Sequence, residues 1–221
     1  MEKFRIGLFG GSFDPVTKGH IHIAEQLLEQ GVVDIVKFVP AYVSYHGKSY
    51  HAHPLDRLEM ITGAIDCSKY NESLYVSGFE IDNKMKTCTY DFVEKYLDAN
   101  HDDDIQHYFI VGSDNATKIP NFKSGPNGEK LMDIIPMIVV NRGDHNVDDI
   151  EWCNKEPHIV VDVGNKYYNC SSTSIREAIG NIDTDGLSAE FLRDWCPWYV
   201  FAYIMEAELY TEKSFRNRNW E

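Results

Sequence analysis

Two short strings in this 221-residue chain combine residue types that bind phosphate. The first, Gly10-Gly11-Ser12-Phe13-Asp14-Pro15-Val16-Thr17-Lys18-Gly19-His20, follows a strand-like run at 5–9 and opens a helical pattern. Two glycines directly after a strand allow a tight turn and a close approach of backbone to ligand. The helix behind them offers N–H groups and the positive end of its dipole, where a phosphate can sit. Thr17 and His20, three apart, place a hydroxyl and an imidazole on one side of the first helical turn. The plainer reading of the same residues is a turn, a helix cap at Thr17 and a surface histidine.

The second string, Cys170-Ser171-Ser172-Thr173-Ser174-Ile175-Arg176, precedes another helical run. Its hydroxyls either cap helix N–H groups or hold phosphate oxygens, and Arg176 adds a planar fork of donors. Two commoner phosphate loops are excluded by position. A dinucleotide fingerprint needs glycine at position 9, which is Phe9. A P-loop around Gly47-Lys48-Ser49 needs glycine at position 42, which is Tyr42. A nicotinamide-dependent oxidoreductase and a P-loop kinase are therefore unsupported. His51 and His53, with His46 nearby, lack a third ligand at metal-site spacing and read as residues of a polar loop.

The elements that must position these strings alternate along the chain. Apolar runs at 5–9, 35–39, 74–76, 108–111, 137–140 and 159–163 read as strands. Helical patterns cover 20–30, 54–65, 90–99, 172–179, 188–194 and 197–210. Strands that are apolar throughout, separated by helices, predict a doubly wound parallel α/β sheet with ligands at its carboxyl edge. The expectation is one domain over 1–221, with an α/β core at 1–168 and a helical part at 169–221 that carries the second string. Stretches 41–53, 121–129 and 143–157 have the length of binding loops.

A formal net charge of -14 repels polyphosphate at long range, so non-specific nucleic-acid binding is not expected. No leader pattern opens the chain, and its longest apolar runs are too short for a bilayer, which argues against a membrane partner. Five scattered cysteines without CxxC spacing fit reduced thiols and a cytoplasmic location. Trp195, Trp198, Tyr199 and Phe201 have the spacing of a packed helix face, either core or the contact of a homo-oligomer.

The first string resembles the G-x-F-x-P-x-(H/T)-x-G-H signature of the nucleotidyltransferase superfamily, and the second its I-S-S-T-x-I-R signature, with Cys170 replacing the first apolar residue. The resemblance implies a Rossmann-like nucleotidyltransferase fold with C-terminal helices. Across nearly the whole chain it is similar to nicotinate/nicotinamide mononucleotide adenylyltransferases. Leu55-Asp56-Arg57-Leu58-Glu59-Met60 resembles that family's R-L-x-M helix, and Thr87-Cys88-Thr89-Tyr90-Asp91 its S-Y-T-x-D segment beside the pyridine ring. Ile110-Val111-Gly112-Ser113-Asp114 resembles its G-x-D strand end, and Val139-Val140-Asn141-Arg142-Gly143 its V-x-R-x-G.

By that resemblance His20, Thr17 and Arg176 are catalytic. Gly10, Gly11, Ser12, Phe13, His20, Gly112, Asp114, Ser171, Ser172, Thr173 and Arg176 would bind ATP. Ser12, Phe13, Lys48, Thr89, Phe122 and Arg142 would bind the pyridine mononucleotide. Asp114 reads otherwise as the cap of a short helix, and Arg57 as a solvated helix residue. The implied reaction is attack of the mononucleotide phosphate on the α-phosphorus of ATP, with Mg²⁺ carried by ATP and no protein metal ligand. Thr17 stands where the bacterial enzymes usually have His, which draws the string towards phosphopantetheine adenylyltransferase of coenzyme A synthesis. The family's P-H-K loop survives only as Tyr45-His46-Gly47-Lys48. A non-catalytic nucleotide sensor on the same fold is the third alternative, and the choice between an amide and a carboxylate on the pyridine stays open.

Overall fold

Strands that are apolar at every position need cover on both faces, and the sheet of this protein has it. The computed structural model describes residues 3–44, 50–121, 128–141, 147, 150–167, 169–181 and 186–211. The chain runs β1 (Phe4–Gly11), α1 (Lys18–Glu29), β2 (Ile35–Pro40), α2 (Pro54–Asp66), β3 (Leu74–Val76), α3 (Phe79–Asp82), α4 (Thr89–Ala99) and β4 (Ile105–Gly112). It continues with α5 (Ser113–Ala116), α6 (Gly128–Ile134), β5 (Met137–Asn141), β6 (Ile159–Asp162), α7 (Ser172–Gly180), α8 (Gly186–Trp195) and α9 (Trp198–Glu206).

The six strands form one sheet in the order β3-β2-β1-β4-β5-β6, and every pairing is parallel. Phe9, Val36, Phe38, Ile138 and Val140 face α1, α2 and the C-terminal helices. Ile6, Leu8, Val39, Met137 and Val139 face α4 and α6 on the other side. Alternate residues thus enter two cores, which removes the polar face that a one-sided strand would show. The chain leaves β1 towards β2 on one side and returns to β4 on the other. The carboxyl ends of β1 and β4 flank this switch point, where a crevice opens in such sheets.

Local signals explain the helix starts. Thr17 caps α1 and Ser171 caps α7, while α2 has proline in its first turn and His53 accepting from Leu55 N–H. β4 begins at Ile105, earlier than its apolar run suggested, because Gln106 and His107 interrupt the pattern. The last helix stops at Glu206 instead of reaching 210, since Glu208 and Tyr210 adopt left-handed backbone at φ 49° and 61°. Helix α6 occupies part of the stretch expected as a loop; its seven residues are too few to show a helical period. No helix among the described residues is long and apolar enough to cross a membrane.

Helix α9 lies on α2. Tyr199 Oη donates to Glu59 at 2.8 Å and Tyr203 Oη to Asp56 at 2.9 Å. Gly63 makes this approach feasible, because a Cβ there would fall 1.9 Å from Tyr199 Cδ1. Trp198, on the same helix, is 76% exposed and belongs to no core. Gly63→Ala should therefore push α9 off α2 and lower stability by about 1–3 kcal/mol, as overpacking typically does. Urea denaturation checks this, and an unchanged midpoint would contradict the packing described.

Candidate active site

The first string does not turn at its glycines. Gly10 and Gly11 continue β1, in register with Val39 and Pro40 of β2, and the turn comes at Phe13 with φ 46°. What Gly11 supplies is room, for a Cβ there would sit 2.9 Å from Phe13 Cζ. The Phe13 ring is 2% exposed and packs edge-on against Phe9, His20 and Phe38, with centroids 5.5, 5.1 and 5.5 Å away. Left-handed backbone at a non-glycine residue costs on the order of 1–3 kcal/mol, which the burial of an aromatic ring can offset.

The carbonyls of this loop are held from behind. Gly11 O accepts from Ala41 N–H at 2.9 Å, and Ser12 O from Arg57 Nη1 at 2.7 Å. Asp14 O accepts from Arg176 Nη1 at 2.5 Å, and Pro15 O from Ser172 Oγ at 2.8 Å. The N–H groups of Ser12 and Phe13 have no acceptor among the described residues. Both residues line the cavity at the end of β1.

Thr17 and His20 form a reciprocal cap at the start of α1. His20 N–H donates to Thr17 Oγ1 at 3.3 Å, and Thr17 N–H donates to His20 Nδ1 at 3.0 Å. A nitrogen that accepts cannot carry the proton, so the neutral ring is assigned its hydrogen on Nε2. His20 lines the cavity. Thr17 is 1% exposed and stands behind it, its hydroxyl 3.0 Å from Nδ1.

The cavity, about 550 Å³, is of the size that takes small ligands. One wall is the β1 loop with His20; another is the end of β4 with Gly112, Asp114 and Asn115; a third is the segment 87–90 at the start of α4. Thr87 Oγ1 is buried there without a hydrogen-bond partner among the described residues. Asp114 is not a helix cap, since Gly112 holds that position of α5 and no side chain caps it. Thr89 lies on the wall formed by α4.

Glu80 also lines the cavity and is 9% exposed. Burial pushes its carboxyl up to about 7, against the Tyr42 N–H it accepts and the nearby Arg57 guanidinium. Arg57 is 0% exposed, which corrects its reading as a solvated helix residue. Besides Ser12 O it donates to Ala41 O at 2.6 Å and Tyr42 O at 3.0 Å, and it stacks on Tyr50 with 4.5 Å to the centroid.

The second string meets the first without lining this cavity. Ser171 caps α7 by accepting from Ser174 N–H, Ser172 and Arg176 hold the loop carbonyls, and Thr173 Oγ1 accepts from Arg176 Nη2 at 3.1 Å. Lys48, Phe122 and Arg142 lie outside the described residues, as does His46. Among the described residues no cluster of three or more His, Cys, Asp or Glu side chains could hold a metal. Sequence reasoning missed Arg57, Glu80 and the side chain of Asp14, which accepts from His51 N–H at 2.6 Å and Ala52 N–H at 2.9 Å. Only an arginine and an aspartate inside otherwise recognisable strings hinted at them.

A parallel sheet of this order, with amide donors and a histidine at the switch point, defines a nucleotide-binding protein of the nucleotidyltransferase class. The family model described as "Cytidylyltransferase-like" matches residues 8–178. A relative from Fusobacterium nucleatum, "Probable nicotinate-nucleotide adenylyltransferase", is 30% identical over 80% of this chain and 88% of its own. One of the same name from Methylacidiphilum infernorum is 31% identical over 94% and 92%. The chain belongs to this cytidylyltransferase-like family, and within it to the nicotinate-nucleotide adenylyltransferases. The solved Plasmodium falciparum nicotinic acid mononucleotide adenylyltransferase, complexed with NaAD, shares the fold at a TM-score of 0.77 and 21% identity, over 94% of this chain and 97% of that one.

Two outcomes follow from the geometry. Thr17→Val should cost about 1 kcal/mol of stability through the lost cap, read by urea denaturation; no loss would contradict the cap. Glu80 keeps its proton in the folded state over a range where the unfolded chain has released it, so its contribution is full in acid and falls as pH rises towards about 7. Glu80→Gln should flatten the fall of melting temperature across that window. Equal slopes in the two proteins would show that the carboxyl is not held protonated.

Proposed function

We propose that the chain transfers the adenylyl group of ATP to the phosphate of nicotinate mononucleotide, giving the dinucleotide and pyrophosphate. The observation that carries this reading is the β1 loop, whose carbonyls are held by other segments while Ser12, Phe13 and His20 line the cavity and the Ser12 and Phe13 N–H groups have no acceptor among the described residues. The relatives' names support nicotinate as the acceptor base.

In this reading an oxygen of the mononucleotide phosphate attacks the α-phosphorus of ATP in line with the bond to the β-phosphate. That bond breaks, and its electron pair leaves on pyrophosphate. The nucleophile is already ionised at neutral pH, so no general base is required. Catalysis consists of positioning and charge stabilisation. The Ser12 and Phe13 N–H groups and His20 Nε2–H take up the charge that develops on the phosphate oxygens. Thr17 acts by holding His20. Arg176 spends two donors on Asp14 O and Thr173, which leaves the rest of its fork for the ATP phosphates beside Ser171, Ser172 and Thr173. Asp114, which lines the cavity, is assigned to the adenosine ribose. Thr89, Phe122, Lys48 and Arg142 are assigned to the mononucleotide.

Magnesium enters as the MgATP substrate. Its ligands are taken as phosphate oxygens and water, because Mg²⁺ usually keeps several waters and binds through substrate phosphates. One domain over 1–221 is favoured by the bonds from α7 to the first loop, and a cytoplasmic site by the five free cysteines.

Pyrophosphate release is the test, with ATP, Mg²⁺ and each acceptor separately. Nicotinate mononucleotide should give the highest kcat/KM. Release with phosphopantetheine alone would select that alternative, and absence of release with every acceptor would leave a nucleotide sensor. His20→Ala should lower turnover by about 10²–10³ with an unchanged circular dichroism spectrum. Near-normal turnover would remove His20 from the mechanism.

A further inference from the structure

The buried carboxylate of Asp14 has a third partner, and it comes from the far end of the chain. Tyr210 Oη donates to Asp14 Oδ1 at 3.0 Å across 196 residues of sequence. Both groups are sealed from solvent, Tyr210 at 1% exposure and Asp14 at 3%. The same carboxylate accepts from the His51 and Ala52 amides just before α2, and the Asp14 carbonyl accepts from Arg176 on α7. Four segments therefore converge on one residue of the cavity loop: the loop itself, the entrance to α2, the start of α7 and the turn after α9.

Tyr210 holds this place at some conformational cost. Its φ is 61°, a left-handed backbone that an aromatic residue seldom adopts. The preceding turn is set by Leu209 N–H donating to Ile204 O at 3.0 Å, with Leu209 packed into the core. Burial raises the Tyr210 hydroxyl well above its ordinary range, so it remains a donor at any pH the protein would meet. A hydrogen bond to a buried carboxylate is among the stronger ones and depends on fixed geometry.

We propose that Tyr210 is a positioning residue of the phosphate loop, acting through Asp14 to hold the Ser12–Phe13 amides in the shape that binds the ATP phosphates. Tyr210 does not line the cavity and touches no substrate. The seating of the C-terminal turn thus belongs to the active-site architecture. The inference rests on the adenylyltransferase reading for its substrate, and on the observed hydrogen bonds for the coupling.

Tyr210→Phe keeps the ring and removes only the hydroxyl; Asp14→Asn keeps the shape and removes the charge. Each should raise KM for ATP and lower kcat/KM for ATP about tenfold, with KM for the mononucleotide little changed. The double variant should lose less than the product of the two single losses, because the residues share one bond, while Asp14→Asn also disturbs the contacts to the His51 and Ala52 amides. All assays run well below the melting temperatures of the variants. Normal ATP kinetics in Tyr210→Phe would overturn the proposal, as would equal losses for both substrates or losses that multiply in the double variant. Binding of α,β-methylene-ATP by calorimetry separates this test from that of the function. If the wild-type protein transfers to no acceptor, weaker analogue binding in Tyr210→Phe still upholds the positioning role, and unchanged binding still refutes it.

Discussion

A loop that is to bind an anion through its amides, as proposed for the one after β1, must dispose of the carbonyls that alternate with them, and here donors from distant parts of the chain take them. Ala41, Arg57, Ser172 and Arg176 each take one carbonyl between Gly11 and Pro15. Any of those oxygens turned into the cavity would repel phosphate, and any left buried without a donor would cost free energy. The requirement reaches well beyond the loop. It calls for α2 to bring a guanidinium beneath β1, and for α7 to pack its first turn against residues 14 and 15.

The sheet places those donors. Because β1 is central and the chain reverses beside it, helices that follow β2 and β6 both cover the face on which the loop turns. Gly63 lets α9 settle on α2, and α2 carries Arg57, so the C-terminal helices support the cavity from beneath. In the proposed reading a protein of net charge -14 attracts a triphosphate through local donors, with the buried Arg57 guanidinium and the half-buried Arg176 behind them. Arg57 remains charged despite burial, which lowers its pKa.

Much of this was legible in the sequence. The six strands and their parallel arrangement follow from apolar runs separated by helical patterns, and both glycine- or hydroxyl-rich strings stand at helix starts as read. The mechanism of the first string was not legible. Gly10 and Gly11 looked like a turn, whereas they make space for aromatic rings and leave the turn to Phe13. Arg57 read as a solvated helix residue, and only packing shows that position 57 faces inward. Glu80 and Tyr210 carry no local pattern at all. Their significance depends on contacts with residues 42 and 14, which sequence spacing does not encode.

The most direct measurement is calorimetric titration of MgATP into the Arg57→Lys variant, below its melting temperature. Residue 57 is fully buried and cannot touch the nucleotide. A lysine keeps the charge but cannot reach the Ser12, Ala41 and Tyr42 carbonyls together. If the loop depends on being held from behind, the Kd for MgATP should weaken about tenfold or more. An unchanged Kd in a folded variant would mean that the carbonyl contacts do not shape the binding loop.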